Sequence, residues 1–197
     1  AIKQIKTMLA LEQFLHSFNI LTDNEVTEFI ALTKPKTIAK GDYFIEQDKV
    51  CKEVVFVESG LFRSFYYTSN EEEVTYCFRF KDSLVSAYSS LLTQQPTTEN
   101  IQALTDAEVL SISKSDLDRF LSNSPNGLKF QAHITELEYL SLEKRVFLLQ
   151  KENAEKRYLD LLENNPQYLN DIPLNYLASY LGITQRHLSR IRGAITI

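Results

Sequence analysis

Pro173-Leu-Asn-Tyr-Leu-Ala-Ser-Tyr-Leu-Gly-Ile-Thr-Gln-Arg-His-Leu-Ser-Arg-Ile-Arg192 reads as two short helices joined by a tight turn. The first helix needs a small residue where the second crosses it, and Ala178 stands there. The turn needs a residue that tolerates positive φ, which Gly182 supplies. Leu177, Leu181, Ile183, Leu188 and Ile191 fall on the inner corner between the helices. Pro173 can occupy a first helical turn without losing a hydrogen bond, and Thr184 is a favourable N-cap for the second helix. A pair used only for packing would satisfy these positions too. The outer face of the second helix argues otherwise, because Gln185, Arg186, Ser189 and Arg190 point away from the corner and each can donate hydrogen bonds. Such a helix laid in a major groove can read base edges with Gln and Arg and hold phosphate with Ser, Arg and its own N-terminus.

The charge distribution agrees with that reading. The chain carries a net charge of −5, but residues 1–150 hold −6 and residues 151–197 hold +1. From 172 onward there are three arginines, Arg186, Arg190 and Arg192, and no acid. An acidic body with a basic tip suits local phosphate contact and excludes a protein that coats nucleic acid indiscriminately.

Upstream of this pair a long helix is expected to about residue 151. Phe130, His133, Leu137, Leu140, Lys144 and Phe147 alternate three- and four-residue steps, as in a coiled-coil seam. At 1.5 Å per residue the helix would be about 35 Å long, which favours pairing with a second copy over packing along one small domain. Another helix is expected over about 153–164, before Asn164-Asn165-Pro166.

The segment from about 35 to 112 has a different character. Pro35, Gly41 and Gly60 punctuate β-branched and aromatic runs, including Val54 to Val57 and Leu61 to Tyr67. The clearest strand is 74–80, with Val74, Tyr76, Phe78 and Phe80 on one face and Thr75, Cys77 and Arg79 on the other. Thr68 to Glu73 reads as a hairpin loop. Short strands at this spacing predict a sandwich, roll or barrel. Ahead of them, Ala1 to Ile20 reads as an amphipathic helix rather than an export signal, and Thr22-Asp23-Asn24-Glu25 has capping-box spacing before a short helix.

The order of β-roll, long helix and helix-turn-helix resembles the cyclic-AMP receptor protein and fumarate–nitrate regulator (Crp/Fnr) superfamily. Leu-Ala-Ser-Tyr-Leu-Gly-Ile-Thr and Leu-Ser-Arg-Ile-Arg, within 177–192, look particularly like its Bacteroidetes-type members. The resemblance implies an α+β chain in three parts. Residues 1–125 would form a double-stranded β-roll of the jelly-roll, cyclic-nucleotide-binding-like kind with flanking helices. Residues 126–151 would be a dimerisation helix, and 152–197 a winged helix-turn-helix, its wing abbreviated because only Gln167 to Ile172 separate the neighbouring helices. It further implies a cytoplasmic homodimer that binds double-stranded DNA to regulate transcription, with RNA polymerase as a further partner. The recognition helix would span about 184–193, and Thr184, Gln185, Arg186, Ser189, Arg190 and Arg192 would face DNA. Members often place Glu where Arg186 stands, so the operator of typical relatives does not carry over.

The same resemblance identifies the stretch where an effector would bind. In cyclic-AMP-binding relatives a Gly-Glu pair serves the ribose, and an Arg-Ser or Arg-Thr pair about ten residues later serves the cyclic phosphate. Here Val85-Ser86 and Pro96-Thr97-Thr98 stand at those places, and no arginine occurs between Arg79 and Arg119. Conventional cyclic-AMP binding is therefore not expected. A different small molecule would meet Ser86, Tyr88, Ser89, Thr97 and Thr98, with Ser141 on the long helix, unless these residues form a solvated loop. The resemblance brings no cofactor, because two scattered cysteines, Cys51 and Cys77, cannot ligate an iron–sulfur cluster in the usual way.

Two rival functions compete with this reading. Metal-dependent catalysis in a roll needs clustered histidines, but His16, His133 and His187 all fall on expected helices. No nucleophile motif and no glycine-rich phosphate loop occurs, so neither catalytic nor metal-binding residues are assigned. The runner-up is a regulatory module that binds no DNA and docks a partner protein through its roll or helices.

Overall fold

The computed structural model describes residues 2–195, with side chains described from Leu9 onward. The chain forms two compact units, one of Ala1–Ser64 with Phe78–Thr135, the other of Phe65–Cys77 with Glu136–Ile197.

The first unit opens with α1 (Ile2–Ser17) and α2 (Asp23–Ala31). Strands β1 (Lys34–Ile38), β2 (Tyr43–Ile45), β3 (Glu53–Ser59), β4 (Phe62–Tyr67), β5 (Glu73–Arg79) and β6 (Leu84–Val85) follow. Then come α3 (Tyr88–Thr93), β7 (Asn100–Ala103), β8 (Ala107–Ser113) and α4 (Lys114–Asn123). The strands make two four-stranded sheets, ordered β1-β8-β3-β6 and β2-β7-β4-β5. All registered pairs are antiparallel, with Val55 opposite Ser111 and Val57 opposite Val109 in the centre of the first sheet. This is the jelly-roll arrangement expected of the roll.

Alternation along the strands sorts side chains into two cores. Val55 and Val57 of β3 and Ala107 and Val109 of β8 join Ile45, Phe62, Val85, Leu91 and Ile101 in the core of the roll. Their neighbours Phe56, Leu110 and Ile112 belong to the core made with the helices, where Leu11, Leu15, Val26, Phe29, Phe120 and Phe130 complete the packing. Gly60 turns the chain from β3 to β4 at φ +107°, and a Cβ there would lie 2.6 Å from that of Ala107. Both the dihedral and the close approach require glycine.

The capping box read from the sequence forms at the start of α2: Thr22 caps the helix and the Glu25 side chain returns to the Thr22 N–H at 2.8 Å. Glu25 does more than the motif requires. Its carboxylate, buried with 5% exposure, also accepts from the Ser124 hydroxyl and from the Asn126 backbone and side-chain N–H groups, both at 2.9 Å. Burial by itself would raise the pKa of Glu25, but these donors outweigh it and hold the group well below the usual carboxylate range. Glu25 thereby ties the N-terminal helices to the loop that precedes the long helix.

That helix is α5 (Gly127–Lys151), and α6 (Ala154–Asn164), α7 (Gln167–Asp171), α8 (Leu174–Tyr180) and α9 (Gln185–Ala194) follow. The second unit contains the outer part of the β4–β5 hairpin, most of α5 and these four helices. A short helix occupies Gln167–Asp171, and the described residues after α5 include no strand, so no wing is seen among them. No described helix is long and apolar enough to cross a membrane.

Because the native state holds Glu25 ionised, its stabilising effect is complete above the ordinary glutamate pKa of about 4.3 and fades as pH falls below it. Glu25→Gln is expected to cost about 2–3 kcal/mol in urea unfolding at pH 7. The deficit relative to wild type should shrink when the same titrations are run at progressively lower pH. An equal deficit at all pH values would remove the ionised carboxylate from this account.

Candidate nucleic-acid interface and effector region

Helices α8 and α9 are joined by residues 181–184, with Gly182 at φ +68° as the turn requires. Leu177, Ala178, Leu181, Leu188 and Ile191 are buried, and Ile183 donates back to the Ala178 carbonyl at 3.0 Å. Thr184 caps α9, its hydroxyl accepting from His187 N at 3.2 Å.

The outer face of α9 is open. Gln185, Arg186, Ser189, Arg190 and Arg192 are all exposed, and Ser189 shares its hydroxyl with the Gln185 carbonyl at 3.0 Å. Elsewhere cations meet acids: Lys36 with Glu53 at 2.6 Å, Lys114 with Asp118 at 2.6 Å, Arg119 with Asp116 at 2.6 Å and Lys144 with Asp160 at 3.7 Å. Arg186, Arg190 and Arg192 make no ion pair with any described residue. Three unneutralised guanidinium groups thus lie on one helix of ten residues that contains no acid.

Two arginines outside α9 hold this unit together. Arg145 of α5 donates to the Tyr180 carbonyl at 2.6 Å and lies 3.8 Å from the centre of the Tyr180 ring. It therefore satisfies a carbonyl at the end of α8 and stacks on the side chain of the same residue. Burial pushes the Tyr180 hydroxyl above its ordinary pKa, and the Arg145 charge opposes that shift. Arg157 of α6 caps the end of α5, donating to the Glu152 carbonyl at 2.7 Å. Neither arginine was singled out in the sequence, since nothing local marks a cation whose partner lies on another helix.

The effector candidates are less uniform. Ser86 is half-buried 3.8 Å from the Cys51 thiol, and the Tyr88 hydroxyl contacts Thr135 at 2.6 Å. Thr97 is buried and accepts from Glu99 N at 3.2 Å, whereas Ser89 and Thr98 are exposed. Ser141 is exposed on α5 and belongs to the other unit, so the sequence-derived set is not brought together within one unit. Three neighbours in the first unit were missed. Ser90 accepts from Cys51 N at 2.9 Å and donates to the Gln95 carbonyl. Gln94, in the left-handed conformation, donates to the carbonyls of Leu91 and Cys51. Buried Asn100 accepts from Gln47 N at 3.0 Å, while its Nδ2 finds no partner among the described residues. A shallow cleft of about 290 Å³ lies to one side, lined by Tyr43–Glu46 and Lys49–Glu53, and includes none of the expected effector residues. Cys51 and Cys77 are both free thiols. Among the described residues no group of three or more His, Cys, Asp or Glu could hold a metal ion.

Residues 35–124 match the family model of the cyclic nucleotide-binding domain. The chain is also similar in fold to solved structures. The solved structure of FixK2 from Bradyrhizobium japonicum superposes with a TM-score of 0.73 at 17% identity, over 83% of this chain and 84% of that one. The c-di-GMP-responsive global regulator CLP of Xanthomonas campestris gives 0.70 at 14%, over 88% and 91%. A protein of Eubacterium rectale described as a Crp/Fnr-family regulator gives 0.69 at 15%, over 90% and 84%. These likenesses establish a shared fold over most of the chain. No curated protein matches by sequence.

The Arg145 contact has a measurable consequence. Arg145→Ala should destabilise the second unit by about 1–3 kcal/mol, and Arg145→Lys should recover less than half of it, because an ammonium cannot both stack and reach the carbonyl in the same way. Thermal unfolding followed by near-ultraviolet circular dichroism would check this. Equal stability of Lys and wild type would reduce Arg145 to a plain charge.

Proposed function

We propose that the protein is a DNA-binding transcription regulator that acts as a homodimer, with residues about 184–193 as recognition helix. The observation that carries this reading is the outer face of α9, where Arg186, Arg190 and Arg192 stand exposed and without acidic partners. Thr184, Gln185 and Ser189 supply hydrogen-bonding groups to the same face, for base edges and phosphates. The shared fold with FixK2, CLP and the Crp/Fnr-family protein supports the assignment, as does the helix-turn-helix sequence in its likeness to Bacteroidetes-type members. The site of action would be the cytoplasm, with RNA polymerase as the further partner.

Dimerisation is assigned to α5. Leu137, Leu140, Leu142, Val146 and Phe147 each expose 39–57% of their surface, and Tyr139 exposes 62%. Leu137, Leu140 and Phe147 share the seam face of the helix, where exposed apolar side chains are costly in water and are relieved when a second copy covers them. A twofold dimer would set two recognition helices about 34 Å apart, one turn of DNA.

The roll would receive an effector other than cyclic AMP. Val85, which stands where Gly-Glu would be expected to begin, is buried in the core of the roll, and the 82–99 segment contains no arginine. Since CLP responds to c-di-GMP, that molecule belongs in any ligand panel with cyclic AMP and cyclic GMP.

A duplex selected from a random library by the wild-type protein would test the central claim. Its affinity should fall steeply with salt, and each of Arg186→Ala, Arg190→Ala and Arg192→Ala that removes a phosphate contact should lower the salt slope by about 1. If no duplex is enriched, or the triple variant binds like wild type, the DNA-binding reading fails. Leu140→Glu with Phe147→Glu should convert dimer to monomer in sedimentation.

A further inference from the structure

We infer that the outer part of the β4–β5 hairpin is a structural member of the DNA-binding head, joined to α8 by the Ser179 hydroxyl. Residues Phe65–Cys77 lie in the same compact unit as Glu136 onward, not with the strands that precede and follow them. The joint itself is specific. Ser179 Oγ accepts from Thr75 N–H at 2.9 Å and donates to the Glu73 carbonyl at 3.2 Å.

The chemistry of that contact follows from the sheet. β5 is the last strand in the order β2-β7-β4-β5, so one side of its backbone has no strand neighbour. Residues two apart on a strand direct their backbone groups to the same side, which places the Glu73 carbonyl and the Thr75 N–H together on one edge. An uncovered edge is a template for unwanted pairing. A hydroxyl is donor and acceptor at once, so a single serine can serve both groups where a neighbouring strand would otherwise do so. Thr75 is completely buried, consistent with a closed contact at this point.

The consequence lies in α8. Ser179 follows Leu177 and Ala178, the residues that pack on α9, and precedes Tyr180, which Arg145 holds. The first helix of the pair is therefore fixed by the hairpin and by α5, and α9 takes its orientation from it. The contact leaves Arg186, Arg190 and Arg192 exposed, so it orients the reading face without covering it. Ser179 is a positioning residue. This assignment rests on the DNA-binding reading for its effect on affinity, but the joint can be observed without DNA.

The test is Ser179→Ala and Ser179→Thr in the full chain, each checked for folding by circular dichroism. Amide exchange at Thr75 should accelerate about 3- to 10-fold in Ser179→Ala, the equivalent of one net hydrogen bond, and remain near wild type in Ser179→Thr. Affinity for the duplex selected by wild type should fall by a similar factor in the alanine variant alone, with an unchanged salt slope. A folded Ser179→Ala protein with wild-type exchange at Thr75, or with wild-type affinity for that duplex, overturns the proposal. If wild type selects no duplex, the function reading fails on its own, and the exchange measurement still decides whether the joint exists.

Discussion

A strand buried on both faces has to divide its side chains between two cores, and β3 and β8 carry that division for the whole first unit. Val55 and Val57 are fully buried within the roll, while Phe56 between them is buried against the helices. Because the side-chain period of a strand is two, a slip of one residue would send Phe56 into the roll and the valines to the helical side. The register of β3 on β8, Val54 to Ile112 through Val57 to Val109, prevents it. The N-terminal helices, the roll and the start of α5 all depend on that pairing. Glu25 fixes the same assembly from its polar side, by holding the loop at 124–126 to the start of α2.

Features decided over short distances were readable in the sequence. The capping box at Thr22–Glu25 and the turn at Gly182 form as expected, because each is settled by residues three or four positions apart. The hairpin loop, read as Thr68 to Glu73, forms one residue shorter because β5 begins at Glu73, and the ends of α5 and α6 were legible for the same reason. The alternation in β5 was less so. Thr75, placed on the polar face by its chemistry, is completely buried, while Val74 and Tyr76 are only half-buried. What covers the Thr75 backbone is Ser179, 104 residues later. No window along the chain holds that information. Arg63, a cation on β4, is likewise only 1% exposed.

The candidate interface was legible because a recognition helix carries its own chemistry. Apolar Leu188 and Ile191 state which face is buried, and the exposed face follows from the helical period. The effector region offered no such guide. Ser86 and Thr97 have their hydrogen-bonding groups engaged with Cys51 and Glu99, so hydroxyls that looked available for a ligand help to hold the loop together, as does that of Ser90, which bonds Gln95. Serine and threonine serve both purposes equally well, and composition cannot distinguish them.

The interior of the roll sets the terms on which any ligand could enter. Phe62, Val85, Ala87, Leu91 and Ile101 are each at most 3% exposed and belong to one continuous apolar cluster. A molecule inserted between the sheets would have to displace some of these side chains, of which Phe62, Val85, Leu91 and Ile101 are each worth about 1.5–3 kcal/mol of burial. A phosphate would add the cost of leaving water for a segment without arginine, whereas a charge-assisted pair would offset that cost in a conventional site. Uncharged bulk with a few hydrogen-bonding atoms meets a smaller penalty, and Asn100 provides a buried amide group still able to donate. The apolar side chains that make the roll stable therefore also set the cost that any ligand must meet to enter between the sheets.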